Sequence, residues 1–484
     1  MRGTIGLTRK AAVRRMQWLK NRIAFSLRKG NHPSYAAALM DYQLQRRTGP
    51  EKLLCHAPLR SVYFGFRGVV VPCCFNRETV YGTYPSNTVA EILNSNKRNK
   101  LQQILGNADF TAGCMHCLDL IESGNLEGVE ANLYDGLKRN KGVNPGEMIF
   151  ELSNTCNLEC AMCEARFSSA IQHRQQGAVQ EKPVYDKAFT EQLKPFLKNL
   201  EVAKFLGGEP FLINQYYDIW EHIIATNRKC TINLQTNGTI YNQRIESLLK
   251  RGRFQIGVSV DSLIKDRFES IRKNAVFEEV MANLDRFIAH TRSKGSFLNI
   301  SVCPMQQNRE EIPQLVEFCN KKGVFVYFNT VYTKSFNLRE LDSSELYALK
   351  ELYKSSPITG KGYVARRNKR SFGSLTQQLE EWYRRKLAEE NRCIKKYPYS
   401  KTDFIALFHQ KILGGNQELY LKVDGLLQTL PDLIMLSDAQ LEHFGSIPPA
   451  DFTAVLSQCN DTALIALLDN FLKKDNFMYE KTSG

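Results

Sequence analysis

Between Met148 and Thr330 the chain switches six times between strand-like and helix-like text. MIFELS (148–153), VAKFL (202–206), TINLQ (231–235), QIGVSV (255–260), FLNISV (297–302) and VFVYFNT (324–330) read as short strands. FTEQLKPFLKNL, QYYDIWEHIIAT, VFEEVMANLDRFIAHT and IPQLVEFCNKK lie among them with helical apolar spacing. Strands joined by helical crossovers imply a parallel sheet, open or curled into a partial barrel. In such folds chemistry collects at the C-terminal ends of the strands. The loops after those six segments are therefore the place to look for function.

The first strand runs straight into SNTCNLECAMCEAR, with Cys156, Cys160 and Cys163. Structural zinc takes four protein ligands in a closed shell. Three thiolates on a short loop can instead hold three irons of a 4Fe–4S cubane and leave the fourth iron open. Zinc with a distant fourth ligand is the competing reading.

CxxxCxxC after a first strand resembles the radical S-adenosylmethionine (SAM) superfamily, and later strand ends carry matching companions. The second strand ends in LGGEPFL, with Gly207, Gly208 and Glu209, and the third in LQTNG, with Thr236 and Asn237. The fourth ends in VSVDS, with Ser259 and Asp261, and DRFESIRKN follows with Arg272; the fifth gives SVCPMQQN. The resemblance implies that GGEP receives the SAM amine and that residues 236–237, 259 and 261 face the ribose. It implies further that Arg272 meets the SAM carboxylate and that Cys303–Met305 lies near the adenine. Met162 stands where the family often has an aromatic residue. The implied chemistry is reductive cleavage of SAM to a 5′-deoxyadenosyl radical that abstracts hydrogen from a substrate. The protein orients and excludes water while the cofactor carries the reaction.

Upstream, CHAPLRSVYFGFRGVVVPCCFN and TAGCMHC place Cys55, Cys73 or Cys74, Cys114 and Cys117 around a β-hairpin turned at Gly68. Four thiolates can close on zinc or on a second 4Fe–4S cluster. Gly68-VVVP-Cys73 is similar to the opening signature of SPASM and twitch modules. No cysteine follows Cys117 in LDLIESGNLEG. The resemblance thus implies one auxiliary cluster, of the twitch type, with Cys73 rather than Cys74 as ligand. In the family this module usually follows the core, and here it precedes it.

The fold expected is α/β: a partial (β/α)6 TIM-like barrel over 145–335, with a SPASM/twitch-like module over 51–125. A basic helical segment (1–50) precedes them and a mainly helical region (336–484) follows. Residues 1–50 hold eleven Lys/Arg against Asp41, and 361–401 hold twelve against four Glu, so the net charge of +15 sits on the flanks. Ala12, Met16, Leu19, Ile23 and Leu27 recur at helical spacing. A helix docked on its own protein accounts for them first, and an anionic membrane surface, an acidic leader peptide or nucleic acid only after that. No run is long and apolar enough for a membrane span, and basic residues interrupt any signal-peptide core. A cytoplasmic protein with reduced thiols follows.

Glu164, Asp119 and Glu122 lie near the cysteine loops without marking an acid or base. The isolated cysteines 230, 303, 319, 393 and 459 read as structural. The SPASM-like module favours oxidation or cross-linking of a peptide or protein substrate. A dehydrogenase or epimerase of a small molecule such as a sugar derivative is the alternative, and a non-catalytic electron-transfer protein the alternative of another class. A flavodoxin or ferredoxin is the expected reductant.

Overall fold

The computed structural model describes residues 33–46, 50–51, 53–107, 109–110, 112–137, 144–177, 184–390, 396–410, 417–428, 433–437 and 453. The basic helix expected over 12–28, the apolar stripe ALIALLDNFL (463–472), Cys393 and Cys459 lie outside these residues. The chain divides into two compact units, Met1–Leu387 and Ala388–Gly484.

The first unit is built on one nine-stranded sheet. Its strands are β1 (Ser61–Phe64), β2 (Val69–Val71), β3 (Gly82–Thr83), β4 (Glu147–Phe150), β6 (Val202–Phe205), β7 (Thr231–Thr236), β8 (Phe254–Ser259), β10 (Asn299–Val302) and β11 (Phe325–Phe328). Two short strands, β5 (Glu159–Cys160) and β9 (Arg272–Lys273), pair with each other outside it. The order is β11-β10-β8-β7-β6-β4-β1-β2-β3. From β11 to β1 every neighbouring pair is parallel, and the β1–β2–β3 edge is antiparallel. All six expected strands form, each within about three residues of its expected limits.

One face of the sheet is apolar because helices cover it. Phe64, Phe150 and Phe205 stand in register on β1, β4 and β6, with ring centroids 5.7 and 5.0 Å apart. Trp220, from the helix Asn214–Thr226, meets Phe205 edge-on at 5.4 Å. Strand alternation turns Tyr63, Ile149 and Lys204 to the other face. The same aromatic ladder thus crosses from the upstream cysteine module into the six-stranded core.

That module is tied to the core by backbone as well. β1 adds in parallel to β4, pairing Ser61–Phe64 with Glu147–Phe150. The β1–β2 hairpin turns at Gly68, where φ is +87° and a Cβ would lie 2.1 Å from the Tyr84 carbonyl oxygen. Only glycine meets both demands. Leu39, Tyr42, Leu101, Leu105, Leu120 and Ile121 form the module's own core. Arg46 locks its first helix in place, donating to Asp135 at 2.9 and 2.5 Å and to the Leu53 carbonyl at 2.6 Å.

Among its described residues the second unit holds the helices Lys401–His409 and Gln417–Leu427. An antiparallel pair, Lys396–Ser400 with Leu433–Ser437, adds strand structure that a mainly helical expectation did not include. Among the described residues no helix is long and apolar enough to cross a membrane.

Both side chains of the Arg46–Asp135 pair are essentially unexposed. Removing one partner leaves a buried, uncompensated charge. Asp135→Ala should therefore cost about 3–5 kcal/mol, read as a lower denaturation midpoint by circular dichroism. An unchanged midpoint would contradict the ion pair's role.

Candidate active site

The cysteine loop leaves β4 and is pinned from two sides. On one side the Cys156 amide donates to Ser169 Oγ at 3.0 Å, and Ser168 Oγ donates to the Leu158 carbonyl at 2.6 Å. Ser168 also caps the helix Ser169–Gln176. On the other side Cys160 pairs with Arg272 across β5–β9, and the Ala161 amide donates to the Ile271 carbonyl at 2.8 Å. Burial pushes the Cys160 thiol up to about 11, with Arg272 opposing the rise, and the Cys163 thiol up to about 12. Such groups remain thiols near neutrality unless a metal replaces the proton.

The end of β6 closes on this loop. A Cβ on Gly208 would lie 2.0 Å from the Thr155 carbonyl oxygen, and one on Gly207, at φ +86°, 2.7 Å from that of Ser153. Both glycines are thus required by contact with the cysteine loop itself. The Glu209 amide donates to the Thr155 carbonyl at 2.7 Å. The Glu209 carboxylate is fully buried and accepts from Thr236 Oγ1 (2.8 Å), the Asn237 amide (2.7 Å) and the Phe211 amide (3.1 Å). Burial raises its pKa to about 7 against those donors. Asn237 Nδ2 donates to Asn157 Oδ1 at 2.9 Å, so β7 also grips the loop.

Just beyond β8, Asp261 is fully buried. One carboxylate oxygen accepts from the Cys303 amide at 2.7 Å and the other faces Arg272 Nη2 at 2.7 Å. Arg272 Nη1 lies 3.8 Å from Cys160 Sγ. Ser259 sits one step along, accepting from Gln235 Nε2 at 2.9 Å. Met162 packs with Ile271, Cys303, Met305, Val331 and Phe336, beside the segment expected near an adenine. All the expected strand-end residues thus border one sheet edge.

Asn308 is a residue that sequence reasoning missed. Fully buried, it donates to the Asp261 and Cys303 carbonyls at 2.8 and 3.0 Å and accepts from the Met305 amide at 2.7 Å. Its only sequence signal is an asparagine three residues after Met305 in a turn.

The upstream cysteines form a second centre. Cys55, Cys73, Cys114 and Cys117 line one cavity, otherwise largely apolar. Each sulfur has an N–H donor. Ala57 and Asn76 amides approach Cys55 and Cys73 at 3.4 Å, Asn76 Nδ2 approaches Cys114 at 3.4 Å, and the Ala131 amide serves Cys117. Burial nevertheless pushes all four thiols up, Cys114 to about 12. Donors aimed at sulfur in a largely apolar cavity suit thiolates bound to a metal cluster. Cys74 points elsewhere, 3.8 Å from Glu130 Oε1 and packed near Tyr63, Ile149 and Leu206. Among the described residues, no three His, Cys, Asp or Glu converge as a site for a single metal ion.

The carboxylates near the loops are engaged in surface pairs. Asp119 meets Arg339, Glu122 lies 4.0 Å from Arg385, and Glu164 lies 3.4 Å from Arg166. The sheet face opposite the helices is polar. Ser301 Oγ donates to Gln235 Oε1 at 2.9 Å, and Lys204 Nζ reaches Glu130 Oε1 at 3.2 Å. A wide cleft on the helical side, bounded by Asn154, Ser169, Thr190 and Arg244, contains none of the cysteines.

A mostly parallel sheet with a three-cysteine loop at its edge defines the class of protein. Residues 150–319 match the radical SAM superfamily, and residues 55–118 match SPASM, described as an iron–sulfur cluster-binding domain. The chain carries a radical SAM domain, and a SPASM module precedes it. These domains imply a SAM-binding 4Fe–4S cluster and an auxiliary iron–sulfur cluster, which decides the choice against zinc.

GTP 3′,8-cyclase of Chlorobaculum tepidum is 29% identical over 179 residues, 37% of this chain and 51% of that protein. Probable GTP 3′,8-cyclase of Methanocaldococcus jannaschii is 28% identical over 177 residues, 36% of this chain and 55% of that one. The chain spans about half the length of these relatives. A solved structure, native anSMEcpe with bound AdoMet, aligns at 20% identity and TM-score 0.34 over 43% of this chain and 59% of its own. The cyclases are named for a reaction on GTP, a small molecule. That overturns the expectation of a peptide or protein substrate, which rested on the SPASM-like module alone; the small-molecule alternative is the better supported.

Two outcomes follow from this geometry. Gly208→Ala drives a methyl into the Thr155 carbonyl and should displace the Cys156 loop. Iron content after anaerobic reconstitution should fall by roughly half, because only one of two clusters is lost; full iron loading would contradict the contact. Glu147, buried on β4, has its pKa raised from 4.5 to about 7, chiefly by burial. A raised folded-state pKa gives stability that is present below about 4.5 and lost as pH rises through about 7. Denaturation of Glu147→Gln should show a shallower loss of stability across that window than the unmodified protein.

Proposed function

We propose that this chain is a radical SAM enzyme that transforms a small molecule, with one auxiliary 4Fe–4S cluster of the twitch kind. The observation that carries the reading is that the Cys156–Cys163 loop is joined by direct hydrogen bonds to the ends of β6 and β7 and to Arg272. Those cysteines would hold the SAM-binding cluster, and Cys55, Cys73, Cys114 and Cys117 the auxiliary one. When bound, cluster and SAM together supply one-electron cleavage of a sulfonium and hydrogen abstraction from the substrate.

The chain's own residues supply position and electrostatics. Gly207–Glu209, Thr236 and Asn237 would shape the amine and ribose side of the SAM site, together with Ser259 and Asp261. Arg272, held by Asp261 beside Cys160, would offer its remaining guanidinium face to the SAM carboxylate. The apolar group around Met162 and Met305 would exclude water near the adenine. A polar inner sheet face with Lys204, Gln235 and Ser301 suits a hydrogen-bonding small molecule, and GTP, the substrate in the relatives' names, is the first to test. A cytoplasmic setting with a flavodoxin or ferredoxin as reductant accords with the free thiols of all described cysteines.

Anaerobic reconstitution followed by reduction with dithionite in the presence of SAM tests this. 5′-Deoxyadenosine should form, and it should vanish in Cys156→Ala/Cys160→Ala/Cys163→Ala while the auxiliary cluster's absorbance remains. Intact clusters without that product would make the chain an electron-transfer protein instead.

A further inference from the structure

Among the residues that line the auxiliary cavity, one buried side-chain polar atom has no partner among the described residues. Tyr134 is 1% exposed and lines the cavity beside the four cysteines, and its hydroxyl has no hydrogen-bond partner. Burying an unpaired hydroxyl is costly, a cost that phenylalanine in the same place would avoid.

The nearby carboxylates are already engaged. Glu130 is paired with Lys204 Nζ at 3.2 Å and faces Cys74 Sγ at 3.8 Å, while Glu147 accepts from Ser61 Oγ at 3.3 Å. A phenol keeps its proton near neutral pH. The hydroxyl is therefore a donor in need of an acceptor, and the one the cavity is built to receive is sulfur.

We propose that Tyr134 donates its O–H to a sulfur of the auxiliary iron–sulfur cluster and thereby sets that cluster's reduction potential. This rests on the auxiliary-cluster reading above. A donor to sulfur stabilises the more negative, reduced state and raises the potential. Glu130 would act in the opposite sense, and its pairing with Lys204 blunts that effect. Tyr134 is thus a tuning residue, and its effect falls on electron acceptance rather than on SAM.

The test uses the full chain in the Cys156→Ala/Cys160→Ala/Cys163→Ala background, where the auxiliary cluster is observed alone. Tyr134→Phe should keep the iron content, shift the midpoint potential to more negative values, and remove one exchangeable-proton coupling seen by pulsed EPR in H2O against D2O. An unchanged potential with unchanged couplings overturns the proposal and shows the hydroxyl bonded elsewhere. Should the Phe variant fail to take up iron, 3-fluorotyrosine at position 134, a stronger donor, should shift the potential upward; no shift overturns it equally. If the background protein itself holds no iron, the auxiliary-cluster reading has failed and takes the proposal with it, a result visible before any position-134 variant is made.

Discussion

The contact between the end of β6 and the cysteine loop is the constraint on which the site depends. Gly208 presses against the Thr155 carbonyl, and the next amide, that of Glu209, donates to the same oxygen. One peptide group therefore fixes where Cys156 begins. From there Glu209 reaches Thr236 and Asn237, Asn237 reaches Asn157, and Arg272 closes the far side against Cys160. Glu209, Thr236, Asn237 and Arg272 at its centre are buried, and bonds among such groups reinforce one another more than separate surface bonds would. It also explains why paired glycines precede the glutamate: no side chain fits between two backbones at this distance.

The second organising feature is the continuity of the sheet. Because β1 adds to β4, the auxiliary module shares one rigid element with the core and is not left on a flexible tether. The stacked Phe64, Phe150 and Phe205 rings cover one face of that junction, and the Lys204–Glu130 pair spans the other. Module order in the chain matters less than this pairing: a module placed before the core still shares its sheet. Lys204 also sits where a negative charge from the module would otherwise lie unpaired on the polar inner face.

Much of this was legible in the sequence, and for local reasons. Alternating apolar text located all six core strands, since burial on one helical face gives each a short period-two signal. Gly68 marked its hairpin turn because a left-handed conformation leaves few other choices. Cys73 lines the auxiliary cavity while Cys74 packs near Tyr63 and Ile149, as the signature resemblance implied. What escaped was long-range. Nothing near Ser61–Phe64 announces a partner 86 residues away, and the Asp261–Arg272 pair depends on the β5–β9 bridge, too short to leave a pattern. Tyr134 gave no signal because its meaning lies in an unsatisfied hydroxyl. The SPASM-like module does not by itself fix what the whole chain acts on; fold and function are separable in this way.

The central claim is that one of two iron–sulfur clusters has an open iron filled by SAM. EPR spectra of the dithionite-reduced protein, recorded with and without SAM, test it most directly. The account predicts two cluster signals, of which one changes on adding SAM and the other does not. Signals that both ignore SAM, or a protein isolated with zinc at residues 156–163 under strict anaerobiosis, would contradict it.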